Sequence, residues 1–283
     1  MYQIESKQVL AQSVTKYWIK APFIANKALP GQFVVVRVDE TGERAPFTVH
    51  DVDKEKGLVC LVVQEVGKTT RKMSLMKAGD SFIDVSGPLG RPTHLDGIGR
   101  AVIVGGGLGC AIAYPQARAL TDMGSRVDLI GGFRNKELII LEDEMNAASE
   151  NFYICTDDGS YGEPGFVTEK LKKLLEAGEE YDMCLAIGPL VMMRAVSEVT
   201  RPFGLKTVVS MNSIMVDATG MCGCCRLTVG GQTRFACVDG PEFDGHEIDY
   251  NEALARSRIY FDYEREQDCR LLEQIEKEAA SDA

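Results

Sequence analysis

Two rhythms of apolar and polar positions divide the chain. Across residues 14–20 the two kinds alternate, with Val14, Lys16, Trp18 and Lys20 on one side, the period of a half-buried strand. Residues 31–38, 47–52 and 57–66 are rich in Val and Phe. Pro30-Gly31, Gly42, Gly57, Gly79-Asp80 and Gly87-Pro88 punctuate them, which predicts a small antiparallel β-barrel over residues 1–96. Only residues 70–76 read as helix within it.

From about residue 97 the rhythm changes. Residues 101–104 are a continuous apolar run ending in three glycines, and an Ala- and Leu-rich segment follows as far as Gly124. Further runs come at 127–130, 152–155, 183–187 and 207–209, with helical patterns between them at 137–145, 167–175 and 190–199. Strands alternating with helices predict a parallel sheet covered on both faces, so residues 97–210 read as an α/β domain. A cysteine- and glycine-rich segment, 211–250, comes next. The tail, 251–283, sets Leu254, Phe261, Leu272 and Ile275 at roughly helical intervals.

Charge and cysteine content narrow the setting. Forty-two acidic against 31 basic side chains leave a net charge of −11 over 283 residues, a field that repels nucleic acid. The longest uncharged stretch, 101–117, holds four glycines and Pro115 and is too broken to span a membrane. Residues 1–10 carry Glu5 and Lys7 and no apolar block, so no secretory leader is read there and a cytoplasmic protein is expected. Nine cysteines, an odd number, fit a reducing compartment better than a disulfide-stapled domain. Cys60, Cys110, Cys155 and Cys184 lie in apolar surroundings and read as small buried hydrophobes.

Four of the remaining five crowd into Asp217-x4-Cys222-x2-Cys225-x11-Cys237, with Cys224 inside the loop. A Cys-x-x-Cys loop lets two thiolates converge, and a distant third on a returning strand closes such a site. Adjacent residues of an extended chain point to opposite sides, so only one of Cys224 and Cys225 easily joins Cys222. Asp217 can add an anionic oxygen. A disulfide, a structural zinc held by three Cys and one Asp, and an iron–sulfur cluster all remain open on these residues alone. Gly220 and Gly223 favour the cluster, because their N–H groups can hydrogen-bond to sulfur.

Three further segments carry weaker signals. Arg44-Ala-Pro46-Phe47-Thr48-Val49 opens a barrel strand, where a cation can meet a diphosphate and a strand edge a flat polar ring system. Gly67-Lys68-Thr69-Thr70 sets glycine, hydroxyls and free N–H groups at a helix start, which suits an anion and equally a helix cap. Gly105-Gly106-Gly107-Leu108-Gly109 links a buried strand to a helix, the setting of a dinucleotide pyrophosphate, although Cys110 holds the place of the last glycine in the usual pattern. Gly188-Pro189 can shape a nicotinamide pocket. Arg134 and Lys136 would attract a 2′-phosphate whereas Asp128 would oppose one, so the nicotinamide preference stays open. His50, His94 and His246 have no mutual spacing that suggests a site.

The order of these parts, with Arg44-Ala-Pro-Phe-Thr, the glycine loop and Asp217…Cys237-Val-Asp-Gly-Pro-Glu-Phe-Asp, resembles a known group. It is similar to the small subunits of NADH-dependent reduced ferredoxin:NADP+ oxidoreductases, electron-bifurcating members of the ferredoxin–NADP reductase-like superfamily. It also resembles the electron-transfer subunits of dihydroorotate dehydrogenase. Those relatives use four cysteines, so Asp217 at the first position favours the bifurcating branch. The resemblance implies FAD on the barrel, against Arg44, Pro46, Phe47, Thr48 and Val49, with its diphosphate on Gly67, Thr69 and Thr70. It implies NAD(H) on Gly105, Gly106, Gly107, Gly109 and Gly188, and a 2Fe–2S cluster on Asp217, Cys222, Cys225 and Cys237. Cys224 holds a variable position and is not expected to be a ligand. A larger flavin and iron–sulfur subunit is the implied partner, docking near the cluster and the tail, with ferredoxin reached through it. The electron-transfer subunit of a dihydroorotate or sulfide dehydrogenase and a zinc-stabilised interaction subunit are the alternatives.

Overall fold

The computed structural model describes residues 2–281. Eight strands build the first unit: β1 (Tyr2–Ala11), β2 (Val14–Lys20), β3 (Phe33–Arg37), β4 (Arg44–Thr48), β5 (Asp51–Asp53), β6 (Leu58–Gln64), β7 (Ser81–Phe82) and β8 (Asp84–Leu89). They form two antiparallel sheets, ordered β5-β6-β2-β1-β7 and β4-β3-β8. Tyr17, Ile19, Val34, Val36, Leu61 and Phe82 fill the core that the two sheets share. The alternation in β2 therefore buries Thr15, Tyr17 and Ile19, while Lys16, Trp18 and Lys20 form the outer row. Two helices interrupt the strands. α2 (Lys68–Leu75) falls where a helix was expected, but α1 (Pro22–Lys27) was not anticipated. β1 carries little apolar signal, since only Ile4 of its ten residues is buried.

Residues 100–210 form the expected parallel sheet. Its strands are β9 (Arg100–Gly106), β10 (Arg126–Phe133), β11 (Asn151–Thr156), β12 (Glu163–Pro164), β13 (Met183–Ile187) and β14 (Thr207–Ser210). The order is β12-β11-β10-β9-β13-β14, and β17 (Glu242–Asp244) adds an antiparallel edge. The run in β9 is apolar throughout because both faces are covered. Ala101 and Ile103 face α3 (Gly109–Asp122) and α4 (Glu142–Ala147), while Val102 and Val104 face α5 (Val167–Glu176) and α6 (Leu190–Thr200). The helix expected over 137–145 is in fact two pieces, a short 3-10 turn and α4. The first stops where Ile139 turns extended, and Leu141, in a left-handed conformation with φ 56°, stands at the start of α4.

The cysteine segment folds over the α5/α6 face rather than standing apart. Strands β15 (Arg226–Val229) and β16 (Gln232–Phe235) make a hairpin about Gly230-Gly231, both with positive φ, as a tight two-residue turn requires. Cys225, Leu227, Ala236 and Cys237 join the core that Val102, Val104 and Met193 begin. α7 (Tyr250–Arg256) and α8 (Phe261–Ser281) complete the chain. Among the described residues no helix is long and apolar enough to cross a membrane.

Candidate functional site

The glycine loop lies at the carboxyl end of β9, where open parallel sheets bind ligands. Each glycine is explained by crowding or by conformation. A Cβ on Gly109 would stand 2.1 Å from the Ile187 carbonyl oxygen, so only glycine lets α3 begin against the end of β13. Gly106 and Gly188 approach backbone to backbone: a Cβ on Gly188 would lie 3.1 Å from the Gly106 Cα. Gly105 has Cys110 beneath it, which buries that thiol, and Gly107 needs its positive φ of 55°. A Cβ on Gly107 would meet nothing within 4 Å, which leaves the start of α3 open to a ligand.

Asp128, whose charge would oppose a 2′-phosphate, sits at the wrong end of the sheet. It lies buried near the start of β10, where Arg100 pairs with it at 2.9 Å, the Tyr181 hydroxyl donates to it at 2.7 Å and the Asn151 amide at 2.7 Å. That network closes the amino end of the sheet, away from the glycine loop at the carboxyl end. Arg134 and Lys136 do follow the carboxyl end of β10, and Lys136 lies over the Tyr161 ring.

β4 is an edge strand, so one row of its N–H and C=O groups has no strand partner, the arrangement a ring with polar edges requires. Pro46 is tolerated there for the same reason. Arg44 stands at its exposed start, 3.7 Å from Asp84, while Phe47 leans on the barrel core and Val49 is buried. At the start of α2 the Thr70 hydroxyl accepts from the N–H groups of Val66 and Gly67, at 2.9 and 3.1 Å, and donates to the Gly67 carbonyl. Thr70 is thus occupied in capping, and Thr69 stands half-buried beside it.

The cysteine segment divides into two pairs. Cys225 and Cys237 are buried with sulfurs 3.3 Å apart, and the Cys237 N–H donates to the Cys225 sulfur at 3.4 Å. Burial and the Cys225 thiol push the Cys237 thiol up to about 12, so a bound metal would have to displace its proton. Cys222 is exposed and its sulfur accepts from the Cys224 N–H at 3.5 Å. The half-buried Asp217 carboxylate accepts from the hydroxyl and N–H of Thr219, which hold it below the usual carboxylate range. Among the described residues no three His, Cys, Asp or Glu side chains converge as a single metal ion requires. Free thiols that already accept N–H bonds have the chemistry of cluster ligands, and one close buried pair matches the two donors each iron of a 2Fe–2S centre takes from the protein.

One junction escaped the sequence reading. Glu242 on β17 accepts from the Thr93 hydroxyl at 2.7 Å and the Gln116 amide at 3.1 Å, tying together the segment after the barrel, α3 and the cysteine segment. Removal from water raises its carboxyl pKa. The signal was present, since Glu242 lies within the Pro-Glu-Phe-Asp stretch that follows Cys237. His50, read as incidental, is buried, and its Nδ1 meets the Ala111 carbonyl at 2.7 Å, a second tie between barrel and α3.

Residues 212–249 match the family described as the iron–sulfur cluster binding domain of dihydroorotate dehydrogenase B. A dihydroorotate dehydrogenase B electron-transfer subunit homologue of Thermotoga maritima is 46% identical over 263 residues, covering 93% of both chains. The chain belongs to the dihydroorotate dehydrogenase B electron-transfer subunit family. Within that family the electron-transfer subunit of Geobacillus thermodenitrificans is 33% identical over 87% of this chain. A solved structure, described as giving insights into flavin-based electron bifurcation by NADH-dependent reduced ferredoxin-NADP oxidoreductase, is 44% identical. It covers 96% of this chain and 98% of its own, with a TM-score of 0.91. The ferredoxin reductase of a carbazole 1,9a-dioxygenase, 20% identical with a TM-score of 0.62, shares the fold of 72% of this chain. The expected resemblance and the ferredoxin-reductase-like fold both stand.

Proposed function

We propose that this family member is the small, electron-transferring subunit of an electron-bifurcating NADH-dependent ferredoxin:NADP+ oxidoreductase. Residues 1–96 would hold FAD, 97–210 NAD(H), 211–250 a 2Fe–2S cluster, and 251–283 would form a helical tail. Bound flavin supplies two-electron acceptance from a nicotinamide, and a 2Fe–2S cluster supplies single-electron transfer. The chain's own residues position and tune. The edge of β4 and Arg44, Pro46, Phe47, Thr48 and Val49 would orient the ring system, while the helix start at Gly67, Thr69 and Thr70 would receive the diphosphate, Thr70 through its backbone because its hydroxyl caps the helix. Gly107 would face the dinucleotide, while Gly105, Gly106, Gly109 and Gly188, packed against the protein itself, would hold the loop that receives it, and Asp217, Cys222, Cys225 and Cys237 are the proposed cluster ligands.

The observation that carries this reading is the buried Cys225–Cys237 pair, 3.3 Å apart, within the segment matched to a cluster-binding domain. Val216, Met221, Ile259, Tyr260 and Phe261 are exposed in or just after that segment, which supports a larger flavin and iron–sulfur partner docking there. Assays of iron, acid-labile sulfide, zinc and flavin on one anaerobic preparation test the cofactors. Roughly one flavin and two irons per chain are expected. A colourless, zinc-containing sample would replace the redox reading by the interaction-subunit one. Co-purification with a pyrimidine-pathway dehydrogenase would move the chain to the dihydroorotate branch.

A further inference from the structure

We propose that α8 braces the helix that receives the flavin diphosphate, with Arg71 and Asp268 as positioning residues for that site. The inference rests on the reading of α2 as the diphosphate helix. Arg71 and Asp268 meet fork to fork, Nε to Oδ1 at 2.9 Å and Nη2 to Oδ2 at 3.0 Å, and both side chains are less than a quarter exposed. The remaining terminal nitrogen, Nη1, donates to Glu65. Two carboxylates thus occupy Arg71, so it orients α2 rather than offering charge to a phosphate. Its own N–H bonds to the Gly67 carbonyl at 2.8 Å, which places the clamp one turn from the proposed diphosphate residues. Lys68, the first residue of the helix, reaches Gln267 of α8 at 3.3 Å.

The other end of this C-terminal arm is anchored on the cysteine segment. Arg256 at the end of α7 donates to the Cys224 carbonyl at 2.9 Å, and Glu252 accepts the Thr228 N–H at 2.9 Å. Between the two anchors, residues 259–266 are exposed. The arm therefore joins the proposed cluster segment to the proposed diphosphate helix, across the fold from one end of the chain's order to the other. A first turn held in advance has less freedom to lose when the diphosphate binds, so the brace slows flavin release.

Full-length Asp268→Ala and Asp268→Arg chains, loaded with FAD, test this by the rise in free-flavin fluorescence after dilution. Release about two to five times faster than wild type is expected, the fold-change that such an ion pair converts to. Asp268→Glu, which keeps the carboxylate, should return the rate toward wild type, and the cluster absorption should stay unchanged in all. Should Asp268→Ala fold poorly, Asp268→Asn keeps the shape and removes the charge, with release about threefold faster. Wild-type release rates in these folded variants would overturn the brace alone. A wild-type chain that takes up no FAD would instead overturn the flavin reading beneath it.

Discussion

Gly109→Ala tests the account of the glycine loop by asking whether crowding or backbone conformation dictates each glycine. The new Cβ would stand 2.1 Å from the carbonyl oxygen of Ile187 and 2.7 Å from its carbon. Ile187 is paired with Gly105 in the centre of the parallel sheet, so the strain falls on backbone that has no easy way to yield. Overpacking of that kind costs about 3 kcal/mol. Gly107→Ala is the control, because its Cβ meets nothing within 4 Å and only the left-handed conformation is strained, at about 1 kcal/mol. A unit of this size loses about 4 °C per kcal/mol, so Gly109→Ala should melt about 12 °C lower and Gly107→Ala about 4 °C lower. Far-UV circular dichroism at one fixed heating rate reads both. Equal melting of the two variants would refute the crowding argument. With its fold nearly intact, Gly107→Ala should still raise the KM for NADH, since it adds a methyl group where the pyrophosphate is placed.

The remaining predictions concern other parts of the fold. Burial raises the Glu242 carboxyl pKa above its ordinary 4.5, so its contribution to stability is full below that pH and fades as pH rises through the folded value. Glu242→Gln should flatten that part of the stability–pH curve, and urea midpoints that keep the wild-type slope would contradict the assignment. Tyr181→Phe removes a 2.7 Å hydrogen bond to buried Asp128 and should destabilise by about 1.5 kcal/mol in urea unfolding. It should leave NADH kinetics untouched, and a changed KM would bring Asp128 back into the nucleotide site. Asp217→Ala should perturb or abolish the cluster signal in electron paramagnetic resonance while flavin stays bound, and Cys224→Ser should not. An unaltered signal in Asp217→Ala removes that carboxylate from the ligand set.

What the sequence made legible follows from where the physical signal is strong. The strands of the parallel sheet are apolar on both faces, so the runs at 101–104, 127–130 and 183–187 stood out. β1 buries only Ile4 and α1 has only six residues, so neither carries a clear periodic apolar stripe. The break between the 3-10 turn and α4 runs from the extended Ile139 to the left-handed Leu141, which composition does not mark. In the site, spacing singled out the cysteine segment, whereas the pairing of Cys225 with Cys237 depends on how the β15–β16 hairpin folds back. Asp128 illustrates the opposite case. Its charge and strand suit a residue that opposes a 2′-phosphate, but position along the strand decides which end of the sheet a side chain serves. Glu242 and the Arg71–Asp268 clamp join residues more than a hundred positions apart, which no local pattern reveals.

Anaerobic titration of the purified chain with NADH, followed by visible absorption and low-temperature electron paramagnetic resonance, tests the central claim most directly. The account predicts loss of the oxidised flavin band together with the signal of a reduced 2Fe–2S centre in the same chain. Flavin that bleaches with NADH while no iron–sulfur signal develops in Cys-intact protein would contradict it.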